Sequence, residues 1–280
     1  MAGVRSSTLH VRSLSVAFQT DEEVIFANRE ITFDHEAGTW LSLMGHSGSG
    51  KTVLGRAIAG LLTGSPGIVQ GTIAYRGANL LDALPRFVSE HRHNGAISFR
   101  KDVRRWQKTH WRNITHFARG HFAYIFQNPY DALNPYVSIR RHLEEAFLAG
   151  GANPEELEQR CIDLFVQLRL TPPARVLGCY PHELSGGMAQ RVVVAMAMAQ
   201  RASYIIADEC ASSLDSTSAR VTLDLLHRLQ DEEGCSVLFI THDEALAQLF
   251  SHHMLRMERG ALMSLDSYGQ HGSGTSGSHP

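Results

Sequence analysis

The chain has 280 residues, 43% of them hydrophobic, with 28 acidic and 26 basic side chains and a formal net charge of −2. This provides for a sizeable core in one large domain or two small ones, and it removes the overall basic footprint of a nucleic-acid binder. Cys161, Cys179, Cys210 and Cys235 form no C-x-x-C pair, which fits reduced, buried thiols rather than a disulfide framework or a zinc site. The 16 histidines are dispersed, without an H-E-x-x-H pattern, and read mainly as surface residues. No segment approaches the roughly 18 apolar residues of a membrane span, and the N-terminal stretch lacks a signal-peptide centre, so a membrane would be reached only through a partner.

Alternation over 9–18 and 24–33 predicts two antiparallel strands, and 40–44 is a short apolar run entering a glycine-rich loop. Residues 51–62 then read as a helix and 68–75 as a strand. Between 85 and 119 the composition turns basic: Arg86, Arg92, Arg100, Lys101, Arg104, Arg105, Lys108, Arg112 and Arg119 face only Glu90 and Asp102. Within this insertion Val103, Trp106, His110, Ile114 and Phe117 recur at three- and four-residue steps. That spacing predicts a helix with one apolar stripe flanked by cations, which either packs the stripe on the body while its charges stay solvated or meets anionic lipid or a loop of a membrane partner. Residues 122–126 form a strand, 143–147 and 154–170 lie in helical patterns, and Ser185 opens a helix through 199. The β-rich runs 204–207 and 237–240, with a helical pattern over 214–230 between them, show the alternation of a parallel α/β sheet. Residues 267–280 are rich in Gly, Ser and His and read as a disordered tail.

Two motifs carry chemistry, the first by itself and the second only in combination with it. Gly45-His46-Ser47-Gly48-Ser49-Gly50-Lys51-Thr52 fits the P-loop pattern G-x-x-x-x-G-K-[ST] between a strand and a helix, the context that pattern needs. Its glycines let backbone N–H groups wrap a phosphate, Lys51 pairs with the outer phosphates, and Thr52 offers a hydroxyl to Mg²⁺. Tyr204-Ile205-Ile206-Ala207-Asp208-Glu209 is an apolar strand delivering two carboxylates to its C-terminal end, where open α/β sheets bind ligands. Asp208 suits Mg²⁺ and Glu209 suits a base that polarises water.

Between these motifs, Leu184-Ser185-Gly186-Gly187-Met188-Ala189-Gln190-Arg191 resembles the LSGGQ-type signature of ABC ATPases. Ser185 can cap a helix whose first turn, cleared of side chains by Gly186 and Gly187, points N–H groups at an anion. The resemblance implies that this anion is the γ-phosphate of ATP held by the opposite subunit's P-loop. Gln127 in Phe126-Gln127-Asn128-Pro129 resembles the Q-loop glutamine, a catalytic residue and further Mg²⁺ ligand. Ser213-Leu214-Asp215 resembles the D-loop, with Asp215 near nucleotide, and His242 in Ile240-Thr241-His242-Asp243 resembles the catalytic switch histidine. Phe18 stands where the family places an adenine-stacking aromatic, and serves equally well as a core strand residue.

Six elements in family order span nearly the whole chain. They imply an α/β fold, a RecA-like P-loop NTPase core with an antiparallel β subdomain and an α-helical signature subdomain near 136–184, in a cassette of residues 1–266. Gln127-Asn128-Pro129 with Ala132-Leu133-Asn134-Pro135, and later Tyr180-Pro181-His182-Glu183, are similar to ATPases of bacterial peptide, nickel and opine-metallophore importers. Such ATPases hydrolyse ATP with Mg²⁺ on the cytoplasmic face of the inner membrane. They work beside a second, paralogous ATPase, two permeases and an external binding protein, without nucleic acid. The ending soon after Ser264 is closer to a nickel or metallophore type than to a dipeptide type. The alternatives are a non-transport ABC ATPase and a nucleotide-dependent regulator. The first lacks support because no long heptad repeat and no second cassette occur; the second, because Glu209 and His242 are retained. Two positions depart from the family pattern: Cys210 replaces a proline and His46 a glutamate.

Overall fold

The computed structural model describes residues 9–20, 23–62, 64–93, 96–109, 121–212, 214 and 216–267. Strands β1 (Leu9–Gln19) and β2 (Val24–His35) pair antiparallel, as the alternation predicts. With β4 (Pro66–Tyr75) and the short β5 (Ala78–Asn79) they make a four-stranded sheet ordered β2-β1-β4-β5.

The second sheet runs β12-β11-β3-β10-β9-β8. Here β3 is Trp40–Met44, β8 Phe122–Ile125, β9 Tyr204–Asp208, β10 Ser236–Thr241, β11 His253–Glu258 and β12 Ala261–Ser267. Every residue of β3, β9 and β10 is buried, because parallel strands are covered on both faces and therefore read as unbroken apolar runs. One core packs Leu14, Leu43, Ile58, Tyr75 and Ile240 between the two sheets. Another packs Trp40, Phe165, Val192, Leu226 and Phe239 toward the helices.

Helix α1 (Lys51–Ile58) is four residues shorter than the sequence pattern suggests. Gly60 takes φ 70° just past its end, and Gly60 N–H and Leu61 N–H bond back to the carbonyls of Ala57 (3.2 Å) and Arg56 (2.8 Å). This paired arrangement closes the helix where apolar periodicity would have continued it.

The basic insertion corrects the sequence reading most. It opens with a hairpin, β6 (Val88–His93) and β7 (Ala96–Lys101), in which Val88, Ile97 and Phe99 are the only large apolar residues, too few alternating positions for a period-two signal to stand out. Helix α2 follows over 103–109, with Trp106 buried, Val103 half-buried and Arg104, Arg105 and Lys108 exposed, in agreement with the predicted stripe. His110, Arg112, Ile114, Phe117 and Arg119 lie outside the described residues. Lys101 is not solvated. Its ammonium donates to the Ile68 carbonyl at 2.7 Å and sits 4.8 Å from the Trp106 ring centre, and burial pulls its pKa down to about 7.

The helical part comprises α3 (Ile139–Ala149), α4 (Leu157–Gln167), α5 (Pro173–Gly178) and α6 (Gly186–Gln200). Helices α7 (Ser216–Glu233) and α8 (Glu244–Phe250) precede β10 and β11. Among the described residues no helix is long and apolar enough to cross a membrane. Ser267, assigned to the tail by composition, closes β12 instead. The cysteines are free, three of them buried and Cys179 partly so.

Two histidines are core residues rather than surface ones. His142 accepts from Asn134 N–H at 2.8 Å and lies 2.9 Å from the Ser138 carbonyl. His35, 1% exposed, is 2.7 Å from Tyr204 OH, and burial lowers its pKa from 6.5 to about 4. The unfolded chain therefore protonates this group first as pH falls. Its stabilising contribution is complete above pH 6.5 and fades down to about pH 4, a loss of about 3 kcal/mol. Urea unfolding from pH 7 to 4 should show His35→Gln losing less stability with acid than the parent chain. Parallel losses would rule out this source.

Candidate functional site

The site forms where β3, β9 and β10 end side by side. The parallel register aligns Met44 with Thr241 and Ile240 with Asp208, so the loops after these strands open on one edge. The loop after β3 runs through Gly50, whose φ of 101° and whose approach to Ala27 exclude a side chain: a Cβ there would stand 2.2 Å from the Ala27 carbonyl oxygen. Gly50 is also the N-cap of α1 and supplies no side-chain cap, so first-turn N–H groups of the helix are left for an anion.

Lys51 is 5% exposed and folds over the loop, its Nζ donating to the carbonyls of Gly45 (2.8 Å) and His46 (3.0 Å). Burial lowers its pKa, against the opposing pull of Glu209 and Asp208. Thr52 donates to Asp208 Oδ1 at 3.0 Å, and Asp208, 3% exposed, has its pKa raised by burial. Ser49 Oγ is buried, while His46, Ser47 and Gly48 form the exposed lip.

Glu209 takes the left-handed conformation, φ 45°, which few side chains other than Asn and Asp adopt without cost. Two backbone bonds hold it there: its N–H donates to the Ile240 carbonyl at 2.9 Å, and its carbonyl accepts from Ser212 N–H at 3.0 Å. The carboxylate is thereby aimed between neighbours. Oε2 accepts from Gln127 Nε2 at 3.2 Å, and Oε1 lies 3.6 Å from His242 Nδ1. His242 and His46 line one 350 Å³ cleft with Arg256 and Met257. Lys51, Thr52, Gln127, Asp208, Glu209 and His242 therefore meet, although they come from four separate stretches of sequence.

The remaining candidates sit elsewhere or beyond view. Ser185 caps α6, accepting from Met188 N–H at 3.3 Å, and Gly187 passes Ser218, where a Cβ would lie 3.6 Å from the hydroxyl. Tyr130 ties this segment to the Gln127 loop by donating to the Leu184 carbonyl at 2.8 Å. Phe18, half-buried at the end of β1, has its ring against Gly64, consistent with either reading of that residue. Asp215 and Ser213 lie outside the described residues. Cys210 fills a fully buried position behind Glu209, its thiol pushed up to about 12 by burial, so it acts as a small core residue.

Sequence reasoning missed Tyr124, which donates to Asp208 Oδ2 at 2.7 Å. The available signal was a hydroxyl-bearing aromatic in the strand leading to Gln127. It becomes meaningful only once β8 is known to lie beside β9.

A hard-oxygen pair of hydroxyl and carboxylate beside a lysine and uncapped helix N–H groups suits a phosphate with a divalent cation. Comparisons with known proteins bear on the phosphate ligand. A family model described as ABC transporter matches residues 28–212. The dipeptide transport ATP-binding protein DppD of Escherichia coli is 34% identical over 256 residues, 91% of this chain and 70% of that one. The peptidoglycan transport ATP-binding protein YejF of Agrobacterium fabrum is 34% identical over 257 residues, and the glutathione import ATP-binding protein GsiA of E. coli 33% over 255. The chain spans only 42% and 38% of the lengths of these last two. In fold it is similar to the dimeric ATP-binding cassette MJ0796 bound to ADP and Pi, with a TM-score of 0.72 at 23% identity over 92% of this chain and 98% of that one. Motif order, the geometry of the strand ends and these likenesses lead to one conclusion: the chain belongs to the ABC transporter family and carries its ATP-binding cassette.

Proposed function

We propose that this protein hydrolyses ATP as the motor subunit of a peptide-type ABC importer. The observation that carries the reading is the joining of Lys51, Thr52 and Asp208 to Glu209, Gln127 and His242 at one sheet edge. Glu209 takes a proton from water as the water oxygen bonds to the γ-phosphorus and the bond to the ADP oxygen breaks. Gln127 and His242 hold the carboxylate in place, and Lys51 neutralises the phosphates. Thr52, Asp208 and Gln127 would hold Mg²⁺, which when bound neutralises further charge on the phosphates.

Ser185, Gly186 and Gly187 offer their helix N-terminus to the ATP of a second cassette, a paralogue, and Asp215 belongs at the same junction. Phe18 is assigned to the adenine. Two permeases and an external binding protein complete the assembly at the cytoplasmic face of the inner membrane. The peptide class is supported by relatives named for dipeptide, glutathione and peptidoglycan transport.

The shared site gives the test. ATP turnover by the isolated chain should be slow and should rise on mixing with the partner ATPase. Ser185→Trp should lower turnover of the assembled pair while leaving the chain's own ATP affinity within about twofold, because the lost anion contact belongs to the opposite ATP. Fast, concentration-independent hydrolysis by a demonstrated monomer would rule out the two-cassette site.

A further inference from the structure

Asp208 is held by more than the P-loop threonine. Its side chain is almost fully buried, with Oδ1 accepting from Thr52 at 3.0 Å and Oδ2 from the Tyr124 phenol at 2.7 Å. Arg56, one helical turn beyond Thr52 on α1, lends its positive charge to both the Tyr124 phenol and Asp208. The close approach of α1 to the sheet makes this possible. At Gly55 a Cβ would stand 2.7 Å from Ile240 Cδ1, 3.3 Å from Ile206 Cγ2 and 3.4 Å from the Tyr124 hydroxyl. A side chain at 55 would press on Ile240, Ile206 and the Tyr124 hydroxyl, so glycine keeps α1 close over these side chains. Tyr124 itself is placed by β8, where it lies beside Ile206, two residues before Asp208 on β9.

We propose that Tyr124 is a positioning residue of the nucleotide site, which fixes the Asp208 carboxylate for the divalent cation that accompanies ATP. This rests on the assignment of Asp208 to that cation. A carboxylate accepting one bond on each oxygen cannot turn about its Cβ–Cγ axis, so Oδ1 stays with Thr52 at the mouth of the P-loop. Removing the phenol leaves Oδ2 buried and without its donor, and the carboxylate turns to recover one at the expense of the Thr52 side. Lys51 Nζ is held by the Gly45 and His46 carbonyls and the Tyr124 hydroxyl by Asp208, so phosphate binding that needs no cation does not draw on the phenol.

The experiment compares the full-length parent, Tyr124→Phe, Arg56→Gln and Asp208→Asn. Each is titrated with a fluorescent ATP analogue in EDTA and in excess Mg²⁺, and Mn²⁺ binding in the presence of ADP is followed by electron paramagnetic resonance. Tyr124→Phe should keep its EDTA affinity within about twofold while losing about tenfold of the affinity gained from Mg²⁺. Its Mn²⁺ affinity should fall by a similar factor, the usual size for loss of a partner behind a metal ligand. Arg56→Gln, which retains the tyrosine ring, should change both readings in the same direction by less. Parent-like Mg²⁺ gain and Mn²⁺ affinity in folded Tyr124→Phe, with Asp208→Asn impaired, would overturn the role of Tyr124 alone. A full Mg²⁺ gain in Asp208→Asn would overturn the cation assignment of Asp208 and this inference with it. An equal fall in EDTA and in Mg²⁺ would overturn the inference in favour of a packing role.

Discussion

Glu209→Gln is expected to slow ATP hydrolysis by about 10²- to 10⁴-fold, the usual cost of losing a positioned base, while ATP binding survives. Glutamine keeps the length and planarity of the side chain, and the backbone bonds to Ile240 and Ser212 that hold φ at 45° do not involve it. It loses the charge and the ability to take a proton from water. It also changes the neighbours' pairing, because Gln127 Nε2 and His242 Nδ1 now face a neutral amide instead of the carboxylate they flank at 3.2 and 3.6 Å. Removing a negative charge beside the γ-phosphate relieves repulsion in the closed pair of cassettes, so the variant should accumulate as an ATP-bound dimer. Single-turnover hydrolysis, ATP affinity and solution mass of the assembled complex measure the three consequences. Turnover at the parent rate would mean that another group is the base. Loss of both binding and dimerisation would mean that Glu209 belongs to the phosphate cradle.

Lys51→Ala should behave differently, lowering ATP affinity and turnover together. A hydrogen bond to a charged group contributes about 1.5–3 kcal/mol, which corresponds to a fall in affinity of roughly 10- to 150-fold. Lys51 reaches the cradle already oriented, with Nζ held by the carbonyls of Gly45 and His46 at 2.8 and 3.0 Å. Burial disfavours its charge and the carboxylates of Glu209 and Asp208 favour it, so an arriving phosphate meets a cation that has already lost most of its water. Calorimetric titration with ATP, together with thermal unfolding to verify the fold, decides the matter. Unchanged affinity in a folded Lys51→Ala chain would remove Lys51 from the cradle.

Much of this site is legible in sequence because its requirements are local. A phosphate cradle needs glycine at the tight points of one eight-residue loop, and the helix that follows needs only a start signal, so 45–52 declares itself. The cap of α6 is equally local, with Ser185 bonding the N–H three residues on. The buried strands β3, β9 and β10 announce themselves as apolar runs because both of their faces are covered. The hairpin of the basic insertion was invisible for the opposite reason. Among the contacts that hold it are a backbone N–H of Phe99 on Gln19 Oε1 at 2.9 Å and a ring contact with Phe26, both made to residues some 70 to 80 positions away.

The sequence alone determined the class of chemistry: a nucleotide cradle, an acidic strand end and a signature helix, each encoded by residues adjacent in the chain. The tertiary structure decided how they combine. The strand order β3-β10-β9-β8 brings 44, 127, 208 and 242 to one edge, and no periodicity within a strand specifies its neighbour. The second hydrogen bond on Asp208 likewise depends on Tyr124, 84 residues earlier, and on the space that Gly55 leaves above β9 and β10. The physical reason is the same in both cases. Turns, caps and burial patterns are short-range consequences of residue type, whereas the partner of a buried charge is set by which elements pack together.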